Sequence, residues 1–234
     1  MTAVSPPIKV AAIDDDAAMC KALVRLIKSE GLEAAAFSSA REFLDDPIHR
    51  QVDCVVTDMR MPGFDGLKLQ EELNKTLPQL SIVFITGHGN VPMSVEAMKG
   101  GAVDFLEKPV DGEALLAAIH RAADRSHALK ASRDEMIAIK RRYERMTPRE
   151  RQVFTLVTAG SLNKQIAFDL GVAERTVKVH RGRAMEKMEA DSLAQLVSMA
   201  QLLGVHTVAE PARAARLGPD GNDRSRSRPH RNAS

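Results

Sequence analysis

The carboxylates Asp14, Asp15 and Asp58, the Thr86 hydroxyl and the Lys108 ammonium lie in four short segments that each close an apolar run. The segments are Ile13-Asp14-Asp15-Asp16, Thr57-Asp58-Met59-Arg60-Met61-Pro62, Ile85-Thr86-Gly87 and Glu107-Lys108-Pro109. If the runs are strands of one sheet, these groups meet at one sheet edge. Three convergent carboxylates without an obvious Arg partner repel one another, and a hard cation resolves the conflict. Mg²⁺ suits the site, because it takes oxygen ligands, keeps several waters and bridges carboxylate to phosphate. Asp58 then keeps an oxygen able to attack phosphorus as a carboxylate nucleophile. Phosphoryl transfer asks mainly for positioning and for neutralisation of the equatorial oxygens. Mg²⁺ and Lys108 would supply the charge, and Thr86 a hydrogen bond. Each piece alone is ordinary: Asp-Asp after a strand is commonly a turn or helix cap, and Lys-Pro is commonly surface. Their recurrence at the ends of successive strands points to chemistry.

The elements that must position these groups are legible in the periodicity. Strand-like runs occur at 9–13, 32–37, 52–57, 81–85 and 102–106. Between them 17–29, 40–45, 67–76, 92–99 and 113–123 carry apolar residues at helical spacing. Five βα units in succession predict a parallel sheet with helices on both faces. Near-continuous apolar runs such as Cys54-Val55-Val56 agree, since parallel strands are buried on both sides. In an open α/β sheet ligands bind beyond the carboxyl ends of the strands where the order reverses. A strand order of 2-1-3-4-5 makes the first and third strands neighbours there, bringing Asp14 and Asp15 beside Asp58. The expectation is a doubly wound, flavodoxin-like domain over 9–124, preceded by a tail over 1–8.

A second domain follows. Residues 125–146 are charged and lack Gly and Pro; Leu129, Met136, Ile139, Tyr143 and Met146 form one rough apolar stripe, which predicts a linker helix. Thr147-Pro148-Arg149-Glu150 reads as a capping box with proline at the first helical position. It opens an all-helical domain over 147–206. Within it Ala167, Gly171 and Val177 carry the spacing of a helix-turn-helix: a small residue for close approach, a glycine for positive φ, and a buried anchor. The second helix, about 174–188, holds Arg175, Lys178, His180, Arg181, Arg183 and Lys187. Its N-terminal part would enter a major groove while other cations hold phosphates. A basic face is often merely solvated, and a protein-interaction bundle is the rival reading. Residues 207–234, rich in Ala, Arg, Pro and Ser, predict a disordered tail.

Charge separates the two halves. Residues 1–124 hold 12 Lys and Arg against 19 Asp and Glu, a net −7, while 125–234 hold 21 against 12, a net +9. Six of those basic residues lie in the last 26. Only the second half is suited to meet double-stranded DNA. No apolar stretch approaches the ~20 residues of a membrane span, and no secretory leader is evident. Cys20 and Cys54 belong to no CxxC or Cys/His cluster, so no zinc or disulfide framework is expected and a reducing cytoplasm fits.

With Asp14-Asp15, Asp58 with Met61-Pro62, Thr86-Gly87 and Lys108-Pro109, residues 9–124 resemble a response-regulator receiver domain. Residues 147–205 resemble the LuxR-type four-helix DNA-binding domain through Thr147-Pro148-Arg149-Glu150-Arg151, Asn163-Lys164-Gln165-Ile166-Ala167 and Arg175-Thr176-Val177-Lys178-Val179-His180-Arg181. The pair is similar to the FixJ-like subgroup of response regulators. The resemblance implies Asp58 as phosphoacceptor from a sensor histidine kinase. It implies direct Mg²⁺ ligation by Asp15, Asp58 and the Arg60 carbonyl, with Asp14 acting through water. It further implies a Lys108–phosphoryl pair, a cis Lys108–Pro109 bond, and Thr86 with Phe105 as switch residues. On the DNA side it implies Lys178 and Val179 at base edges, and Lys164, Arg175 and Thr176 on the backbone. Arg181, Arg183 and Lys187 complete the basic helix. Homodimerisation on phosphorylation and RNA polymerase as a partner are further expectations. The rival, a phosphatase with an Asp nucleophile, wants an acid two residues on, where this chain has Arg60. Two departures from the family pattern concern the target sequence: Ala173 replaces a Ser or Thr cap, and Gly182 stands one turn after Lys178.

Overall fold

The computed structural model describes residues 7–87 and 91–205. The expected tails therefore fall largely outside the described residues, at 1–6 and 206–234. Contacts divide the described residues into two compact units that meet in sequence between Ala138 and Ile139.

The first unit is a five-stranded sheet, parallel as the alternation predicts, and its order is the expected β2-β1-β3-β4-β5. Its strands are β1 (Lys9–Ile13), β2 (Glu33–Phe37), β3 (Cys54–Asp58), β4 (Ser81–Thr86) and β5 (Asp104–Glu107). The helices are α1 (Ala17–Ser29), α2 (Ala40–Asp45), α3 (Gly66–Thr76), α4 (Val91–Lys99) and α5 (Gly112–Glu144), with a 3-10 turn at Pro47–Arg50. All five residues of β3 and all six of β4 are buried, the mark of central parallel strands. One face of the sheet packs Cys20, Leu23 and Ile27 of α1 and Leu115, Ile119 and Ala122 of α5. The other packs Phe43, Leu69, Leu73 and Ala97 of α2, α3 and α4.

The fifth helix departs from expectation. The expected helix at 113–123 and the linker helix are one element of 33 residues, Gly112–Glu144. After Gly112 it contains neither Gly nor Pro, so nothing in the backbone ends it at Ala123. The turn Pro47–Arg50 was not anticipated, although Asp46 caps it and Pro47 occupies its first turn.

The second unit holds the end of α5 and four helices: α6 (Pro148–Thr158), α7 (Asn163–Leu170), α8 (Glu174–Met188) and α9 (Leu193–Leu202). Ile139, Met146, Val153, Phe154, Ile166, Val177, Ala184, Met188 and Leu196 form its core. The capping box forms as expected: Glu150 N–H donates to Thr147 Oγ1 at 3.3 Å, and Thr147 N–H donates to Glu150 Oε2 at 2.8 Å. Gly171 ends α7 at φ 64°, a left-handed conformation that turns the chain into α8. Among the described residues no helix is long and apolar enough to cross a membrane.

Candidate functional site

Parallel register builds the acidic pocket. Ile13 pairs with Thr57 and Asp58 with Ile85, so Asp14, one step beyond β1, comes beside Asp58 at the end of β3. Thr86 pairs with Glu107, which delivers Lys108 to the same edge. Lys108 N–H donates to the Thr86 carbonyl at 2.7 Å, and the Lys108–Pro109 peptide is cis. Ligand atoms of Asp14, Asp15 and Asp58 all lie within 4.8 Å of one another. Asp14 and Asp58 are buried while Asp15 is exposed, so the cluster has one open side.

The sequence brought Lys108 to this edge as a partner for a phosphoryl group; the structure pairs it directly with the carboxylates. Lys108 Nζ lies 2.7 Å from Asp14 Oδ2 and 3.0 Å from Asp58 Oδ1. The other Asp58 oxygen, Oδ2, accepts the Arg60 N–H at 3.1 Å. Asp14 Oδ1 accepts the Asp16 N–H at 2.9 Å, and Asp16 in turn caps α1 by accepting from Ala18 and Met19. Burial raises the Asp58 pKa above the ordinary value; the Lys108 hydrogen bond and charge offset this only in part, and Asp14 adds to the rise. Burial opposes the Lys108 charge, yet the hydrogen bonds that its ammonium donates to Asp14 and Asp58 outweigh it and raise that pKa. Both shifts describe a crowded anionic site that one ammonium does not fully neutralise. An all-oxygen cluster with surplus negative charge fits a hard divalent cation. Phe105 is partly buried on β5 against the core, beside Phe84 of β4.

Gly66, at the start of α3, contributes through what it lacks. A Cβ there would sit 2.6 Å from the Asp58 carbonyl oxygen and 2.8 Å from Phe84 Cε1. Sequence reading did not single it out, since one helix-start glycine carries no spacing signal.

In the second unit the helix-turn-helix residues take their expected places: Ala167 and Val177 are buried, with Gly171 between them. Lys164 is exposed on α7, and Arg175, Thr176, Lys178, Val179 and Arg183 are exposed on α8. Ala173 makes no side-chain cap, as its residue type predicts. Lys178 Nζ lies 3.6 Å from Glu174 Oε1. Two further α8 cations are engaged by other helices of the domain. Arg181 is half-buried and donates to Asn163 Oδ1 at 3.4 Å. Lys187 Nζ lies 2.7 Å from the buried Glu150 carboxylate and donates to the Arg145 carbonyl at 3.2 Å. Phe168, 87% exposed on α7, is an apolar surface residue the sequence reading passed over. Its position off the Ile166, Ala167 and Leu170 stripe was the available signal.

Comparison with known proteins follows the same division. Residues 10–120 match the response regulator receiver domain, and 144–200 match the bacterial regulatory proteins of the luxR family. The chain is 45% identical over 193 residues to Nodulation protein W of Bradyrhizobium diazoefficiens, covering 82% of this chain and 85% of that protein. It is 45% identical over 201 residues to the transcriptional regulatory protein FixJ of Azorhizobium caulinodans, covering 86% and 94%. Among solved structures the response regulator StyR matches with a TM-score of 0.75 at 41% identity, covering 84% of this chain and 99% of that one. Full-length FixJ from B. japonicum matches at 0.50 and 41%, covering 84% and 97%. Receiver fold, helix-turn-helix and full-length relatives thus agree, and the chain belongs to the response regulators as a FixJ-like transcriptional regulator that joins a receiver to a LuxR-type DNA-binding domain.

Proposed function

We propose that this regulator works in the cytoplasm and is controlled by phosphorylation of Asp58, with a sensor histidine kinase as donor. The receiver spans 9–124, a helical linker 125–146 and the DNA-binding domain 147–206. An Asp58 carboxylate oxygen attacks the phosphorus of a phosphohistidine, and the P–N bond breaks with its electron pair leaving on the imidazole nitrogen. With the phosphohistidine ring already protonated on its other nitrogen, the products are an aspartyl phosphate and a neutral histidine. Asp14, Asp15, Asp58 and the Arg60 carbonyl would hold Mg²⁺, which neutralises charge on the transferring group.

The observation that carries this reading is the Lys108 bridge, 2.7 Å to Asp14 and 3.0 Å to Asp58. A phosphoryl group on Asp58 offers this ammonium a more highly charged partner, with the Thr86 hydroxyl donating to a second oxygen. That exchange biases the receiver between two forms, with Phe105 following Thr86. Moving such an equilibrium from 1:99 to 99:1 takes about 5.5 kcal/mol of differential affinity. The favoured form pairs two receivers through the face of α4, β5 and α5. Exposed Val91, Val95 and Met98 on α4 support that choice. Dimerisation sets two α8 helices on repeated half-sites of promoter DNA, where the regulator meets RNA polymerase.

The test is phosphodonor treatment with Mg²⁺ followed by light scattering and a DNA titration. Wild type should dimerise and bind more tightly, and Asp58→Asn should do neither. Normal dimerisation and binding by treated Asp58→Asn would refute the mechanism.

A further inference from the structure

Gly182 is the ninth of fifteen residues in α8. Among the described residues it is the only glycine in a helix interior; Gly66 and Gly112 stand at the first positions of α3 and α5. A helix-interior glycine is destabilising relative to alanine, because more backbone freedom is lost on folding. Two structural demands call for glycine at such a place. Either its backbone needs positive φ, or a side chain there would collide with something.

Neither reason operates within this domain. Gly182 is absent from the positive-φ glycines. A Cβ built on it meets nothing within 4 Å. The contrast with Gly66, whose Cβ would strike Asp58 at 2.6 Å, shows what an internal requirement looks like. Nothing within the domain calls for glycine at position 182, so a demand for one can come only from a partner outside it.

The helix geometry says where. At 100° per residue, Arg175, Lys178, Val179, Gly182, Arg183 and Glu186 share one side of α8, and all six are exposed. Val177, Ala184 and Met188 lie opposite, in the core. Gly182 sits in the middle of the outward stripe, one turn beyond Lys178 and Val179. This is the side that a recognition helix turns toward the major groove.

We infer that Gly182 is a specificity-determining position, and that the missing side chain lets the α8 backbone seat directly against the DNA. The bare segment of helix allows Lys178 and Val179 to reach deeper into the groove. It also restricts which base pairs fit against the helix, since a thymine methyl and a cytosine amino group present different surfaces there. The inference rests on the DNA-binding side being this face of α8, and it adds a determinant that acts by close approach, not by hydrogen bonding.

The test uses the full chain and its Gly182→Ala variant. Duplexes are first selected from a randomised pool by the phosphodonor-treated wild type, and the strongest is the probe. Thermal denaturation of both proteins is measured in parallel. In the free protein the added methyl meets nothing, so Gly182→Ala should melt at higher temperature. On the selected duplex it should bind about tenfold more weakly, the scale of a one-methyl overpacking, with a smaller loss on unrelated duplex DNA. Selection repeated with the variant should return an altered consensus. Higher stability with undiminished affinity and an unchanged consensus would overturn the inference while leaving DNA binding intact. Failure of the wild type to select any duplex would overturn the underlying DNA-binding face as well.

Discussion

Lys187 near the end of the recognition helix is bound to Glu150 at the start of α6, with Nζ and Oε2 2.7 Å apart. Glu150 is 2% exposed and also accepts the Thr147 N–H, so one carboxylate closes the capping box and anchors α8. Lys187 belongs by composition with the cations expected on DNA, yet its ammonium already serves the fold. Removing it leaves a buried, charged acceptor underpaired.

Lys187→Met should therefore destabilise the second domain by about 2 kcal/mol, the range for a hydrogen bond to a charged group. Arg183→Ala, at an exposed position, should change stability by less than ~0.5 kcal/mol. It should instead reduce the salt slope of DNA binding by about 1. Urea denaturation and a salt-dependent DNA titration separate the two roles.

Acid should attack the same pair. The Lys187 hydrogen bond holds the Glu150 pKa below its ordinary 4.5, against burial. A carboxylate depressed in the folded state adds stability that is complete above its unfolded value and disappears as pH falls through the folded one. The second domain should thus lose stability below about pH 4.5, and Glu150→Gln should flatten that part of the profile while lowering the neutral plateau. Denaturation midpoints between neutrality and pH 3 would show it; identical acid profiles for the two proteins would contradict it.

At the other site, Lys108→Met should leave Asp14 and Asp58 facing each other without their cation. Breaking a buried pair at one partner costs about 3 kcal/mol. Because surplus negative charge then favours a divalent ion, Mg²⁺ should stabilise this variant more than the wild type. Melting curves in chelator and in millimolar Mg²⁺ compare them. Equal Mg²⁺ effects in both would count against the cation site.

Gly66→Ala tests the packing behind Asp58. A methyl 2.6 Å from the Asp58 carbonyl oxygen must push β3 and α3 apart. Overpacking of this kind costs about 2 kcal/mol, and it should slow phosphoryl uptake by displacing the acceptor. A variant with wild-type stability and uptake would show that the end of β3 yields freely.

The central pieces of the fold were legible because they are local. The strand Lys9–Ile13 and the helix Ala17–Ser29 occur where the apolar period puts them, and the capping box at Thr147 and Glu150 spans four residues. β5 begins two residues later than expected because the Ala102 N–H returns to the Ala97 carbonyl to close α4, and only at Val103 does the N–H reach the Ile82 carbonyl of β4. The pocket was legible because parallel register turns strand ends into neighbours, so Asp14 and Asp58 could be paired from sequence. What was not legible depends on distant partners. Strand ends bring Lys108 to the pocket but do not foretell its direct pair with Asp14 across 94 positions, and no period encodes the reach of Lys187 to Glu150 across 37. The continuity of α5 was missed for a different reason: the change to a charged composition near residue 125 resembles a boundary, although the backbone has none.

The most direct measurement is the intact mass of the full chain after incubation with phosphoramidate and Mg²⁺, beside Asp58→Asn treated identically. The account predicts one added phosphoryl group on the wild type, lost when a chelator is present from the start, and none on the variant. Uptake by Asp58→Asn, or none by a folded wild type that binds Mg²⁺, would contradict it.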